Sequence, residues 1–287
     1  MYYSMVCVLE LKTTQTAHIR ALIDSLNAIL TDVNITFYPY YITKSDATST
    51  DEKDKKIGGV VIKELNKTSS ILIHCKLDAN MFEHYVYNYK HEKLTIGINL
   101  NNFLKCIKLM THFDTMTWRI DDEDINKLVM ILESDKEKKI CKINLMDLED
   151  ANYEIEPVKF PYSIILPTQD FQNYCKNIVA ATDKIDIKCT NDNLFLSGKG
   201  ELGVIDIELT ASNVSSGLTI TKNTTNINEI VQGTFELKYL IIFTRCSSLC
   251  SHVSLFLKND YPLIVEYSIA KLGKIKFVLS QSKPKLY

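Results

Sequence analysis

The 287-residue sequence predicts an α+β fold in two similar halves, each an antiparallel sheet structure with two helices packed on one side. Three observations predict it. Short apolar runs of period two outnumber helical runs along the chain. The segments with helical spacing fall two to each half. The order strand, helix, several strands, helix, several strands occurs once before residue 145 and again after residue 161. The halves share this pattern with little identity.

In TQTAHIRALIDSLNAIL (14–30), Ile19, Leu22, Ile23, Leu26, Ile29 and Leu30 recur at helical spacing, opposed by Arg20, Asp24 and Asn27. Strands follow at DVNITFYP (32–39), GVVIKEL (59–65), SSILIHCKL (69–77) and HYVYNY (84–89). The polar, aperiodic KSDATSTDEKDKK (44–56) between the first two reads as an exposed loop. INLNNFLKCIK (98–108) is a second helix, with Phe103, Leu104 and Ile107 opposite Asn101, Lys105 and Lys108. TMTWRI (115–120), KLVMILES (127–134) and CKINLMD (141–147) are strands, and LEDANYEIEPVKFP (148–161) is a connector with neither period.

After the connector, PTQDFQNYCKNIVAAT (167–182) reads as a helix capped by Thr168, with Lys176 opposite its apolar line. IDIKCT (185–190), LFLSGK (194–199) and VIDIELT (204–210) are strands. FELKYLIIFTR (235–245) is the fourth helix, with Lys238 and Arg245 on one stripe. HVSLFLKN (252–259), LIVEYSI (263–269) and KIKFVLS (274–280) close the chain as strands. KLVMILES and GVIDIELT are the candidate edge strands, and an apolar edge must be paired or protected.

Composition is that of a globular chain, 46% hydrophobic and 24% charged, and no run reaches the ~18 apolar residues of a membrane helix. The start, MYYSMVCVLELK, has no cationic stretch ahead of an apolar one, so no secretory signal is expected. The eight cysteines are irregularly spaced within apolar runs and are expected as reduced, buried thiols. Cys246 and Cys250 lack a second Cys or His pair, so neither zinc nor another cofactor is expected. Walker, G-x-G-x-x-G, H-x-x-x-H and G-x-S-x-G motifs are absent, and the six histidines are scattered. Asp121, Asp122, Glu123 and Asp124 would be the ligands of a metal-dependent nuclease. Consecutive carboxylates on a tight turn rarely converge on one ion, however, so a hairpin tip is the simpler reading.

For any one helix, exposed lysines are by default a solvated face. Here four helices carry Arg20, Lys105, Lys108, Lys176, Lys238 and Arg245, with Asp24 nearly alone among the acids. A cationic face on a chain of net charge −2 points to a phosphate backbone as partner, not to indiscriminate coating of nucleic acid.

The blocks LTIGINLNNFLKCIK, LMDLEDANYEIEP, LPTQDFQNYCKNI, LFLSGKGELG, FELKYLIIFTR and YPLIVEYSIAKLGKIKFVLS resemble the eukaryotic-type DNA sliding clamps, the proliferating cell nuclear antigen family. The resemblance covers nearly the whole chain, although the 44–56 loop is longer than the family's. Abundant Ile, Asn and Lys suit an AT-rich coding genome, either a eukaryote's or a large DNA virus's. The resemblance implies clamp domains at 1–145 and 161–287 joined by a loop at 146–160. It further implies a homotrimeric ring around duplex DNA, helices inside and sheets outside, without catalysis. The six basic residues would line the channel, where other family cations are replaced by Asn27 and Asn173. DNA polymerase and other clients carrying a short aromatic docking motif, the PIP box, would seat on Leu65, Tyr153, Ile155, Pro262 and Val278. Main chain from Ser280 to Ser282 would pair the peptide's start. Val278 and Gln281 stand where the family usually has Tyr and Pro. A clamp loader, and a place in the nucleus or at a viral replication site, are also implied, with no membrane partner. Other readings are a subunit of a checkpoint-type heterotrimeric clamp, a monomeric viral processivity factor, and the nuclease above.

Overall fold

The computed structural model describes residues 7–43, 55–149, 153, 158–201, 203–211, 217–224 and 229–282. The chain divides into two compact units. The first comprises Met1–Glu64, Cys75–Asn152 and Ile269–Lys274, and the second Leu65–His74, Tyr153–Ser268 and Ile275–Tyr287.

The first half of the chain opens with β1 (Cys7–Thr13) and α1 (Thr16–Asn27). Ile19, Leu22, Ile23 and Leu26 form the buried stripe of α1. The helix stops three residues before Leu30 because the Ile29 and Leu30 amides both turn back to the Leu26 carbonyl. There follow β2 (Asp32–Thr43), β3 (Lys55–Leu65), β4 (Ile71–Asp78), β5 (His84–Tyr87) and β6 (Leu94–Asn99). The β2–β3 register slips between Tyr38 and Tyr41, opposite Gly58 and Gly59. Gly59 has φ +122°, and a Cβ there would lie 2.0 Å from the Leu77 carbonyl oxygen, so only glycine fits. Asn99 caps α2 (Leu100–Ile107), accepting the Asn102 amide at 3.0 Å. The half ends with β7 (Thr115–Asp121), β8 (Lys127–Glu133) and β9 (Lys138–Asn144). Phe103 of α2 meets Trp118 of β7 edge to face, centroids 5.2 Å apart, and fixes the helix on its sheet.

The second half opens with β10 (Tyr162–Pro167) and α3 (Thr168–Val179). Thr168 is the first helical residue here, not the cap. Its buried hydroxyl donates toward the carbonyls of Ser247, Cys250 and Ser251, so it ties α3 to the distant segment 247–251. Then come β11 (Lys184–Cys189), β12 (Asn193–Gly200), β13 (Gly203–Thr210), β14 (Thr219–Lys222) and β15 (Val231–Glu236). Helix α4 (Leu237–Phe243) runs into a 3-10 turn at Thr244–Ser248, which carries Arg245. The chain closes with β16 (His252–Leu257), β17 (Leu263–Ile269) and β18 (Gly273–Leu279). Phe243 of α4 stacks on Phe277 of β18 at 4.4 Å.

In the first half the strands lie in the orders β5-β1-β7-β8-β9 and β6-β2-β3-β4. In the second they lie in the orders β14-β10-β16-β17-β18 and β15-β11-β12-β13. Adding nine to each strand number of the first half gives the second. The predicted repetition is therefore one of topology. Within the second unit, β18 also runs beside the Ile71–His74 part of β4.

One expected edge moves. β8, the apolar KLVMILE strand, lies between β7 and β9 and is bonded on both sides. The open edge is β9, where Lys138, Ile140, Lys142 and Asn144 are exposed and the alternate residues are covered. β13 is an edge as expected, exposing Val204, Asp206, Glu208 and Thr210. Ile140 and Val204 are each 57% exposed, high for apolar residues within strands.

The cysteine expectation is met in part. Cys75, Cys175, Cys189 and Cys246 are buried thiols, and burial pushes Cys175 and Cys189 up to about 12. Cys106 of α2 and Cys141 of β9 are instead joined as a disulfide.

Candidate nucleic-acid interface and docking site

In the first unit, α1 and α2 pack together with their apolar stripes inward, which leaves their polar faces turned away from the sheet. Arg20 is half-buried, its guanidinium 3.4 Å from the Thr111 carbonyl. Lys105 is exposed in the last turn of α2, where the helix dipole favours a cation. Lys108 follows at the C-cap, its ammonium 3.5 Å from Asp24 of α1. The three predicted cations of this unit thus share one helix pair, and Asp24 partly neutralises them. Asn27 is half-buried on the same face of α1.

The second unit repeats the arrangement on α3 and α4. Lys176 is exposed near the end of α3. Lys238 is exposed in the first turn of α4, 3.7 Å from Glu236 and 4.9 Å from the Tyr239 ring centroid. Arg245 is exposed in the 3-10 turn after α4. Tyr239 is anchored in turn, its hydroxyl 3.2 Å from that of Thr68. Hydrogen bonds from Thr68 and Ser70, with Lys238 nearby, hold this phenol below its ordinary value.

The predicted docking residues also fall in the second unit. Leu65, at the end of β3, leads into a turn in which the Asn66 side chain accepts the Ser70 and Ile71 amides, both at 2.9 Å. The Ser70 carbonyl accepts the Ser280 amide at 3.0 Å, which brings the end of β18 beside that turn. β17 and β18 are sheet neighbours joined by a short turn, so Pro262 and Val278 lie at the same end of the pair. Leu65, Tyr153, Pro262 and Val278 are all half-buried, apolar surfaces neither lost to the core nor fully wet. Ile155 lies outside the described residues. In the Ser280–Ser282 main chain the Ser280 amide is engaged by the Ser70 carbonyl, and the Ser282 amide by the Thr234 carbonyl at 2.8 Å. These two amides are therefore closed to an incoming peptide, because the chain end is itself strapped to neighbouring strands.

Asp122–Asp124 form a 3-10 turn between β7 and β8, a hairpin tip. Arg119 donates to Asp121 at 3.0 Å and Lys127 to Asp124 at 2.7 Å, so the carboxylates diverge into local ion pairs. Among the described residues, no three His, Cys, Asp or Glu side chains are grouped to hold a metal, and no helix is long and apolar enough to cross a membrane.

Residues 45–154 match the family model of the proliferating cell nuclear antigen N-terminal domain, and residues 154–282 that of its C-terminal domain. The chain is 26% identical to the "Probable DNA polymerase sliding clamp 1" of Paramecium bursaria Chlorella virus 1, over 94% of this chain and 95% of that protein. It is 24% identical to the "Probable DNA polymerase sliding clamp" of Acanthamoeba polyphaga mimivirus, over 95% of this chain. It spans 62% of the mimivirus protein's length.

Proposed function

The chain belongs to the proliferating cell nuclear antigen family, and from that premise we propose that it is a DNA polymerase processivity factor. It acts by enclosing duplex DNA and tethering polymerase and other clients, and it performs no chemistry of its own. The observation that carries this reading is the pair of cationic helix faces, one per unit: Arg20, Lys105 and Lys108 on α1 and α2, and Lys176, Lys238 and Arg245 on α3, α4 and the turn after it. On a chain of net charge −2, cations gathered on helices in both units suit a phosphate backbone met without base readout.

Closure follows from edge strands. Among the described residues β9 and β13 each have one edge without a partner strand, and joining β9 of one copy to β13 of the next is a heterologous contact that closes as a ring. The topological repeat supports this pairing. β18 is the counterpart of β9, β4 is the counterpart of β13, and β18 runs beside β4 within the second unit. We take the ring to be a homotrimer of domains 1–145 and 161–287, loaded by a clamp loader at sites of viral or nuclear DNA synthesis. Clients dock by apolar and aromatic anchors over Leu65, Tyr153, Ile155, Pro262 and Val278.

Sedimentation of the purified chain tests the assembly. Three times the chain mass is expected. A single-chain mass at micromolar concentration would instead favour a monomeric, contact-held processivity factor.

A further inference from the structure

Among the described residues, β9 is paired along one edge only, with β8. Its exposed side, Lys138, Ile140 and Lys142, is backed by Lys139, Cys141 and Ile143, which face the other way. Two ties hold the strand from that covered side to α2. The Lys139 ammonium donates to the Leu109 carbonyl, just past the helix, at 2.7 Å. Cys141, the middle residue of β9, is bonded to Cys106 in the last turn of α2, and the link spans 35 residues of chain. The helix end of that link is firmly seated, since Phe103, Leu104 and Ile107 on either side of Cys106 are buried. Cys141 itself directly follows Ile140, the most exposed apolar residue of the strand.

We infer that the Cys106–Cys141 bond is a thiol-sensitive latch on the joint between copies. This inference rests on the reading of β9 as one side of that joint. Closed, the bond holds β9 as a preformed edge for β13 of the next copy. Open, it leaves β9 secured by β8 and Lys139, so the incoming strand must order β9 before it can pair, and assembly weakens. Access favours such a role. Cys106 and Cys141 are both half-buried, within reach of a small dithiol, whereas Cys75, Cys175, Cys189 and Cys246 are buried. Burial pushes the half-buried Cys7 up to about 11 and raises Cys250 as well, so neither supplies at neutral pH a thiolate to exchange with the bond. Opening is a two-electron exchange. One thiolate of the dithiol attacks a sulfur of the pair and displaces the other cysteine. Its second thiol then resolves the mixed disulfide. The dithiol leaves as a cyclic disulfide, and its two electrons and two protons remain on Cys106 and Cys141.

The test uses the full chain, oxidised with oxidised glutathione. Non-reducing peptide mapping should return the segments holding Cys106 and Cys141 linked; their recovery as separate peptides overturns the latch. Sedimentation equilibrium with and without dithiothreitol then reads the dissociation constant of the assembly. Because the bond constrains a long loop, reduction should raise that constant about tenfold. Cys106→Ala/Cys141→Ala should assemble as weakly as the reduced wild type and should not respond to dithiothreitol. Hydrogen exchange on Ile140→Glu isolates the strand from the joint: reduction should speed exchange of the β9 amides and leave those of β1 and β7 unchanged. A dissociation constant that dithiothreitol does not move, or a response that persists in the double variant, overturns the latch alone. Should the double variant fail to fold, the wild-type comparison decides by itself. Assembly of Ile140→Glu would refute β9 as the joint, and the latch on that joint with it.

Discussion

Lys108 and Lys238 each stand within 4 Å of an acid, Asp24 at 3.5 Å and Glu236 at 3.7 Å. Exposed pairs of this kind contribute little to stability, but they reduce the charge a phosphate meets. Asp24→Asn should therefore tighten binding to short linear duplex by about twofold to fivefold at low salt, read by fluorescence anisotropy; unchanged affinity would remove Lys108 from the interface. Replacing Lys105, Lys108 and Lys238 by Ala should weaken the same binding and lower its salt slope by about 0.9 for each phosphate no longer neutralised, with the assembly intact. Glu133 offers a pH test. The hydrogen bond from Lys138, and Lys12 nearby, hold its carboxyl below the ordinary 4.5. The ionised form thus stabilises the fold above that pH, and the contribution is lost as pH falls through the lowered value. Wild type should be more urea-resistant than Glu133→Gln at pH 7, and the gap should narrow as pH falls below the ordinary 4.5; a constant gap would refute the linkage. The cations were legible in sequence because helical spacing alone puts them opposite an apolar stripe. Their carboxylate brakes were less so, since the Glu236 contact depends on how the chain turns from β15 into α4. Thr168 misled for a related reason: a threonine at a helix start reads as a cap unless the loop its hydroxyl reaches is known.

Among the elements, the proposed assembly rests on the edge strands. KLVMILE is continuously apolar, and that pattern marks a strand buried on both faces, with Leu128, Met130 and Leu132 on one and Val129 on the other, rather than an edge. A true edge tolerates lysine, and β9 alternates Lys138, Ile140 and Lys142 outward. Opposite signs appear on β13, which exposes Asp206 and Glu208. Ile140→Glu should accordingly yield monomers by sedimentation, whereas Ile131→Glu, on the doubly paired β8, should act on folding first. Lys138→Glu/Lys142→Glu should also dissociate the assembly, and adding Asp206→Lys/Glu208→Lys to the same chain should restore it. Persistence of the assembly in Ile140→Glu would place the joint elsewhere. β6, β10, β14 and β15 lack a clear strand signature in the sequence, for particular reasons. LTIGIN and YSIILP run straight into helices with no turn between, TITK is only four residues long, and VQGTFE is interrupted by Gly233.

At the scale of the whole molecule, the duplication was legible as an order of elements, and the strand numbering repeats it with a constant offset of nine. What no periodicity could supply is which strand of each sheet stays unpaired, because that depends on pairings between segments far apart in sequence. The central claim is topological: a clamp is retained because DNA passes through it, with weak and unspecific phosphate contacts. The most direct measurement loads the protein on nicked circular duplex, washes at high salt to screen the six cations, and compares retention before and after the circle is linearised. The account predicts stable retention on the circle and rapid loss from the free ends. Equal loss from both forms would contradict it and leave a protein held by direct phosphate binding alone.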